Sequence, residues 1–123
     1  MKRILVIDSN KRHLQLISSL LKKEKLDIFE FTSGIEGMNW LRNNKADVCL
    51  VDSQLPIMSG IEVLNAIHLD EKHINTKVIC VSARADFEHK SILEYGFDGY
   101  IPKPINSRLF FDEIKKIVDS III

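Results

Sequence analysis

Five short apolar runs, rich in β-branched residues, alternate along the chain with segments whose apolar positions recur every three or four residues. Ile4-Leu5-Val6-Ile7 is unbroken by any polar residue, the pattern of a strand covered on both faces in a parallel sheet. Leu14, Ile17, Leu20 and Leu21 follow at helical spacing, with Ser9 or Asn10 placed to cap the helix. Ile28 to Phe31 reads as a shorter strand. Ile35, Met38 and Leu41 make the inward stripe of a second helix that the turn-forming Asn43-Asn44 closes. Val48-Cys49-Leu50-Val51 is a third strand ending at Asp52, and a loop with Pro56 and Gly60 leads to a helix carrying Ile61, Leu64 and Ile67. Val78-Ile79-Cys80-Val81 ends at Ser82, and a short helix over about Asp86 to Tyr95 stops at Gly96, a left-handed C-cap. Tyr100-Ile101 forms a brief fifth strand bounded by Pro102 and Pro104, and a last helix runs from about Ser107 to Ser120 with Phe110, Ile114 and Ile117 facing inward.

Alternating strands and helices predict an α/β domain with a parallel sheet, right-handed crossovers and helices on both faces. No repeat, low-complexity tract or linker interrupts the pattern, so residues 1–123 are expected to form one domain. Folds of this kind gather ligands at the carboxyl ends of the strands, near the switch in strand order. The functional residues are therefore sought there.

Composition narrows the class further. Lys plus Arg and Asp plus Glu both number 17, a formal net charge of zero, and a nucleic-acid binder would carry a basic excess. No apolar stretch approaches a membrane span, and Met1-Lys2-Arg3-Ile4 runs straight into a strand pattern without signal-peptide architecture. Cys49 and Cys80 both sit inside apolar runs and read as buried free thiols of a reducing, cytoplasmic protein.

Four strand ends then supply a chemical set: Asp8 after the first, Asp52 after the third, Ser82 after the fourth and Lys103 after the fifth. Taken singly, each has an ordinary reading as a turn or cap residue. Together they make chemical sense. Two carboxylates suit Mg²⁺, which binds through one or two carboxylates plus phosphate oxygens. An aspartate is a competent nucleophile for forming an acyl phosphate, and a lysine and a metal neutralise the equatorial oxygens during phosphoryl transfer.

The segments Ile4-Leu5-Val6-Ile7-Asp8-Ser9-Asn10, Val51-Asp52-Ser53-Gln54-Leu55-Pro56-Ile57-Met58-Ser59-Gly60, Val81-Ser82-Ala83 and Gly99-Tyr100-Ile101-Pro102-Lys103-Pro104 resemble, in order, the motifs of two-component receiver (response-regulator) domains. The resemblance covers essentially the whole chain and looks closest to stand-alone, CheY-like receivers. It implies the flavodoxin-like (βα)5 fold, a doubly wound five-stranded parallel sheet in the order 2-1-3-4-5. It also implies a signalling module rather than an enzyme in the usual sense, with at most Mg²⁺-dependent self-phosphorylation and self-dephosphorylation. By resemblance, Asp52 is the phosphoacceptor, while Asp8 and the Gln54 backbone carbonyl help to hold Mg²⁺. Lys103 pairs with Asp52 and then with the phosphoryl group, and the Lys103–Pro104 bond is commonly cis. The Ser82 hydroxyl moves to a phosphoryl oxygen, and Tyr100 is the switch aromatic that turns inward with it. Gln54 and Arg84 occupy positions that tune phosphoryl lifetime. The implied partners are a sensor histidine kinase or histidine phosphotransfer protein upstream and a target protein on the face made by the fourth helix, fifth strand and fifth helix. Direct binding to nucleic acid or membrane is not implied.

Ser9 departs from the pattern. Receivers usually carry two adjacent acids after the first strand, the second ligating Mg²⁺ directly. A serine hydroxyl is a neutral, weaker ligand for a hard cation. Its plain reading is a helix N-cap; its functional one is weakened Mg²⁺ binding. It opens the alternative of a pseudo-receiver, a binding module that acts without phosphorylation. A flavin-binding or phosphatase-like enzyme is a third reading, but Asp8-Ser9-Asn10-Lys11-Arg12 is a poor phosphate loop and lacks a paired acid two residues on.

The remaining residues read as structural. His13, His68, His73 and His89 lack metal spacing and are expected to be solvated. Trp40 is expected to pack on the second helix, and Phe111 falls off the inward stripe of the last helix, where exposure is expected. The terminal Ile121-Ile122-Ile123 reads as a helix extension against a partner or a second copy in a dimer, or as the cut end of a longer protein.

Overall fold

In the computed structural model, which describes residues 2–22, 25–83 and 89–120, the elements are β1 (Lys2–Ile7), α1 (Lys11–Leu21), β2 (Leu26–Phe31), α2 (Gly34–Leu41), β3 (Val48–Asp52), α3 (Gly60–His68), β4 (Lys77–Ser82), α4 (His89–Tyr95), β5 (Gly99–Pro102) and α5 (Ser107–Asp119). The side chains of residues 89–91, His89 among them, lie outside the described set, as do Arg84 and the Ile121-Ile122-Ile123 run. All strand pairings are parallel, in the order β2-β1-β3-β4-β5. The predicted flavodoxin-like architecture is the observed one. No helix among the described residues is long and apolar enough to cross a membrane.

The continuous apolar runs explain the layering. Successive side chains of a strand point to opposite faces, so β1 sends Leu5 and Ile7 into one core and Ile4 and Val6 into the other. β3 and β4 divide likewise: Cys49, Val51, Val78 and Cys80 pack under α2, α3 and α4, while Val48, Leu50, Ile79 and Val81 pack against α1 and α5. Every residue of β3 is buried. Burying each such aliphatic side chain contributes about 1.5–3 kcal/mol, so a polar replacement anywhere along β3 would remove support from the strand that ends in Asp52.

Helix ends follow local chemistry. Asn10, not Ser9, caps α1, its side chain accepting the backbone N–H groups of Arg12 and His13. Ser9 is exposed. Gly96 ends α4 at φ 108°, the left-handed conformation expected of it.

Several inward assignments shift. In α2 the buried face carries Gly34, Gly37 and Leu41, while Ile35 is exposed and Met38 half-buried. A Cβ on Gly37 would stand 2.4 Å from the Ile7 side chain, so this helix meets the sheet through glycine backbone, and the stripe turns around that contact. Trp40 reaches instead to β2, its ring 4.6 Å from Phe29 and 6.5 Å from Phe31. Phe111, expected outside, is half-buried against the α1/α5 core.

A 3-10 turn at Glu71–His73 had no periodic signal in the sequence. His73 is buried, not solvated: its Nε2–H points at the Leu41 carbonyl at 3.1 Å, and Lys72 Nζ donates to the carbonyls of Leu41 and Arg42. Two basic residues thereby satisfy the terminal carbonyls of α2, which a helix leaves without partners of its own.

Candidate functional site

The rim at the carboxyl ends of the strands assembles Asp8, Asp52 and Lys103. Asp8 follows β1 directly and is 1% exposed; Asp52 is the last residue of β3 and is 7% exposed. Lys103, one residue beyond β5, projects its ammonium between them, 2.8 Å from Asp8 Oδ2 and 3.2 Å from Asp52 Oδ2. A cis Lys103–Pro104 peptide follows, and the Lys103 N–H donates to the Ser82 carbonyl at 2.9 Å, tying this turn to β4.

The other carboxylate oxygens are held by backbone. Asp8 Oδ1 accepts the Asn10 N–H at 2.9 Å, and Asp52 Oδ1 accepts the Gln54 N–H at 3.0 Å. The Gln54 residue itself is exposed. Burial raises the Asp52 carboxyl above its ordinary pKa, and the neighbouring Asp8 charge adds to that; the Gln54 N–H and the Lys103 ammonium act in the opposite direction. The nucleophile candidate is therefore a carboxylate kept short of full solvation beside one compensating cation.

His13, expected in solvent, joins this site. Its Nδ1 lies 2.9 Å from Lys103 Nζ and 4.0 Å from Asp8 Oδ2. An ammonium only donates, so Nδ1 accepts and its ring proton rests on Nε2. Lys103 thus has three acceptors. Helical spacing placed His13 on the first turn of α1 but carried no sign that this turn faces Lys103, which lies ninety residues on in the chain.

Ser82 is fully buried and lies in a neighbouring network. The Ser53 hydroxyl donates to Ser82 Oγ at 2.6 Å, and Tyr100 donates its hydroxyl to the Ser82 carbonyl at 3.2 Å. Tyr100 is half-buried, and burial raises its hydroxyl pKa. Cys80, two residues before Ser82, is held protonated, its thiol pushed up to about 12 by burial and then by the Asp52 charge. Across the loop after β3, Ile57 adopts φ 67° and is 90% exposed, a strained backbone for a β-branched residue. Gly60 has no room for a side chain, since a Cβ there would meet the Asp52 carbonyl at 2.5 Å.

Among the described residues no group of three or more His, Cys, Asp and Glu side chains is arranged to hold a metal ion. The sequence-derived set therefore resolves into a carboxylate–ammonium cluster of Asp8, Asp52 and Lys103, an adjoining hydroxyl network of Ser82 and Tyr100, and Gln54 and Ser9 at the exposed edge.

Comparison with known proteins places the chain in a family. A sequence model of the response regulator receiver domain matches residues 4–115. The polar-differentiation response regulator DivK of Brucella ovis is 30% identical over 115 residues, covering 93% of this chain and 94% of that protein. A CheY-like response regulator receiver domain protein from Methanospirillum hungatei superposes with a TM-score of 0.84 at 31% identity, over 97% of this chain and 94% of that one. The receiver domain of a sensor histidine kinase from Pseudomonas aeruginosa, solved with a magnesium ion in its active-site cleft, gives 0.86 at 20% identity over 97% and 98%, a likeness of fold. The chain therefore belongs to the response regulator receiver domain family, the phosphorelay signalling modules of two-component systems.

Proposed function

We propose that Asp52 accepts a phosphoryl group from a sensor histidine kinase or a histidine phosphotransfer protein, and that the domain thereby switches its binding to a downstream protein in the cytoplasm. The observation that carries this reading is the Lys103 ammonium bridging Asp8 and Asp52 at the rim of the sheet. In the transfer, a carboxylate oxygen of Asp52 attacks phosphorus, the phosphorus–nitrogen bond of the donor's phosphohistidine breaks, and the imidazole leaves with the electron pair and takes up a proton. Lys103 then exchanges its contact with Asp52 for one with a phosphoryl oxygen while keeping Asp8 and His13, so its position changes little as charge develops.

The donor set fits Mg²⁺: Asp8 and Asp52 offer hard, anionic oxygens at one rim, with the Gln54 backbone carbonyl in the same loop and Ser9 a neutral hydroxyl where relatives supply a second acid. When bound, the ion would neutralise the phosphoryl oxygens. Two carboxylates against one ammonium leave one formal negative charge to attract it, so affinity is expected to be lower than with a further acid.

Switching on this reading runs through Ser82 and Tyr100 to the face of α4, β5 and α5. That face carries apolar surface suited to a protein target, with Leu93 47%, Tyr95 51% and Leu109 57% exposed. A phosphate-independent binding module is the second reading, favoured by Ser9. Incubation with acetyl phosphate and Mg²⁺ separates them: intact mass should gain one phosphoryl group in the wild-type chain and none in Asp52→Ala. No gain in the wild type at millimolar Mg²⁺ would sink the first reading and leave the second.

A further inference from the structure

The residue after the phosphoacceptor candidate carries a buried hydroxyl, at the end of a strand that is apolar up to Asp52. Ser53 follows Val48-Cys49-Leu50-Val51-Asp52 and is 7% exposed. Its N–H donates to the Val81 carbonyl at 3.2 Å, which fixes its backbone beside β4. Its Oγ then lies 2.6 Å from Ser82 Oγ, at the short end for hydroxyl pairs. Small apolar residues would fill this position at lower desolvation cost, so a buried hydroxyl here depends on its partner.

We infer that Ser53 is a positioning residue for the switch: its hydroxyl holds the Ser82 hydroxyl in the resting domain, and phosphorylation of Asp52 has to draw Ser82 away from it. The inference deepens the phosphoacceptor reading and rests on it. Both hydroxyls are shielded from water, which makes parting them costlier than at the surface. The Ser82 carbonyl meanwhile accepts both the Tyr100 hydroxyl and the Lys103 N–H, so a shift of Ser82 is felt at the aromatic and at the turn that carries the ammonium. Ser53 therefore weights the equilibrium between resting and switched arrangements without touching the phosphoryl group.

Removing the Ser53 hydroxyl takes a partner from the resting arrangement and leaves the switched one untouched. A net hydrogen bond of this kind changes an equilibrium by about twofold to tenfold. The test is a titration with beryllofluoride, a mimic of the phosphoryl group, in Mg²⁺, read by the Tyr100 ring resonances in NMR. Ser53→Ala should bind the mimic about twofold to tenfold more tightly than wild type and show a larger switched fraction of Tyr100. In a Ser82→Ala background the same substitution should change nothing. Equal or weaker binding by Ser53→Ala overturns the inference, as does an undiminished gain without Ser82, which would mean general loosening. If the wild type neither binds the mimic nor takes phosphate from acetyl phosphate, the phosphoacceptor reading fails and this inference with it.

Discussion

Asp52 shows how one side chain is held in tension between chemistry and stability. Burial, helped by Asp8, raises its carboxyl pKa in the folded chain, while the unfolded chain keeps the ordinary value near about 4. Below that value both states are protonated and the shift has no effect. As pH rises toward the raised value, the unfolded state ionises first and is favoured; above it the full cost remains. Asp52→Asn should remove that cost while its single amide oxygen still accepts the Gln54 N–H; its amide nitrogen cannot accept from Lys103, which keeps Asp8 and His13 as acceptors. We expect the substitution to raise Tm at pH 7, and the gain should vanish as pH falls below about 4. Equal melting at pH 7, or a gain that grows on acidification, would contradict this. Relief of a buried charge is thus set against the nucleophilic role proposed for the same residue.

Between elements, the contact that matters most for the site is that of β3 with the start of α3. Ser59 caps α3 by accepting the Glu62 N–H, and Gly60 lets the helix sit directly against the backbone of Asp52 and Ser53. A methyl group on Gly60 would meet the Asp52 carbonyl at 2.5 Å and Ser53 Cα at 2.9 Å, backbone atoms that move only with the strand. Gly60→Ala is therefore expected to cost about 1–3 kcal/mol, the range for overpacking, visible as a lower urea midpoint with little change in slope. An unchanged midpoint would show that the β3–α3 junction yields more easily than its packing implies. Gly37 makes a comparable approach to Ile7, but there the neighbouring atoms belong to a side chain. Glycine spacing in α2 is legible in the sequence; that it turns Ile35 outward is not.

At the scale of the whole molecule, two apolar layers enclose one sheet, and its central strands carry both cysteines. Cys49 and Cys80 are fully buried, and burial pushes each thiol up to about 12. The thiolate is the reactive form, so neither thiol should react with a disulfide reagent in the native protein. Because both sit on central strands, labelling should require opening of the core as a unit. We expect the two to be modified together, at rates that follow the urea dependence of global unfolding. Fast labelling of either one without denaturant would mean that β3 or β4 opens locally.

Unbroken apolar runs and helical spacing of three to four are properties of neighbouring residues, so the sequence alone determined the order of elements, the parallel sheet and the four strand ends. It also pointed to Asp8, Asp52, Ser82 and Lys103 as candidates, because residues at the carboxyl ends of parallel strands meet along one rim in such a fold. Contacts between residues far apart in the chain were decided only by the tertiary structure. His13 meets Lys103 across ninety residues, Ser53 meets Ser82 across twenty-nine, and His73 closes the end of α2 across thirty-two. Their identities hold no trace of these pairings, since a histidine or serine in a polar stretch is equally at home in water. What selects the partner is the register of the sheet and the packing of helices upon it, and those are settled by the whole core together.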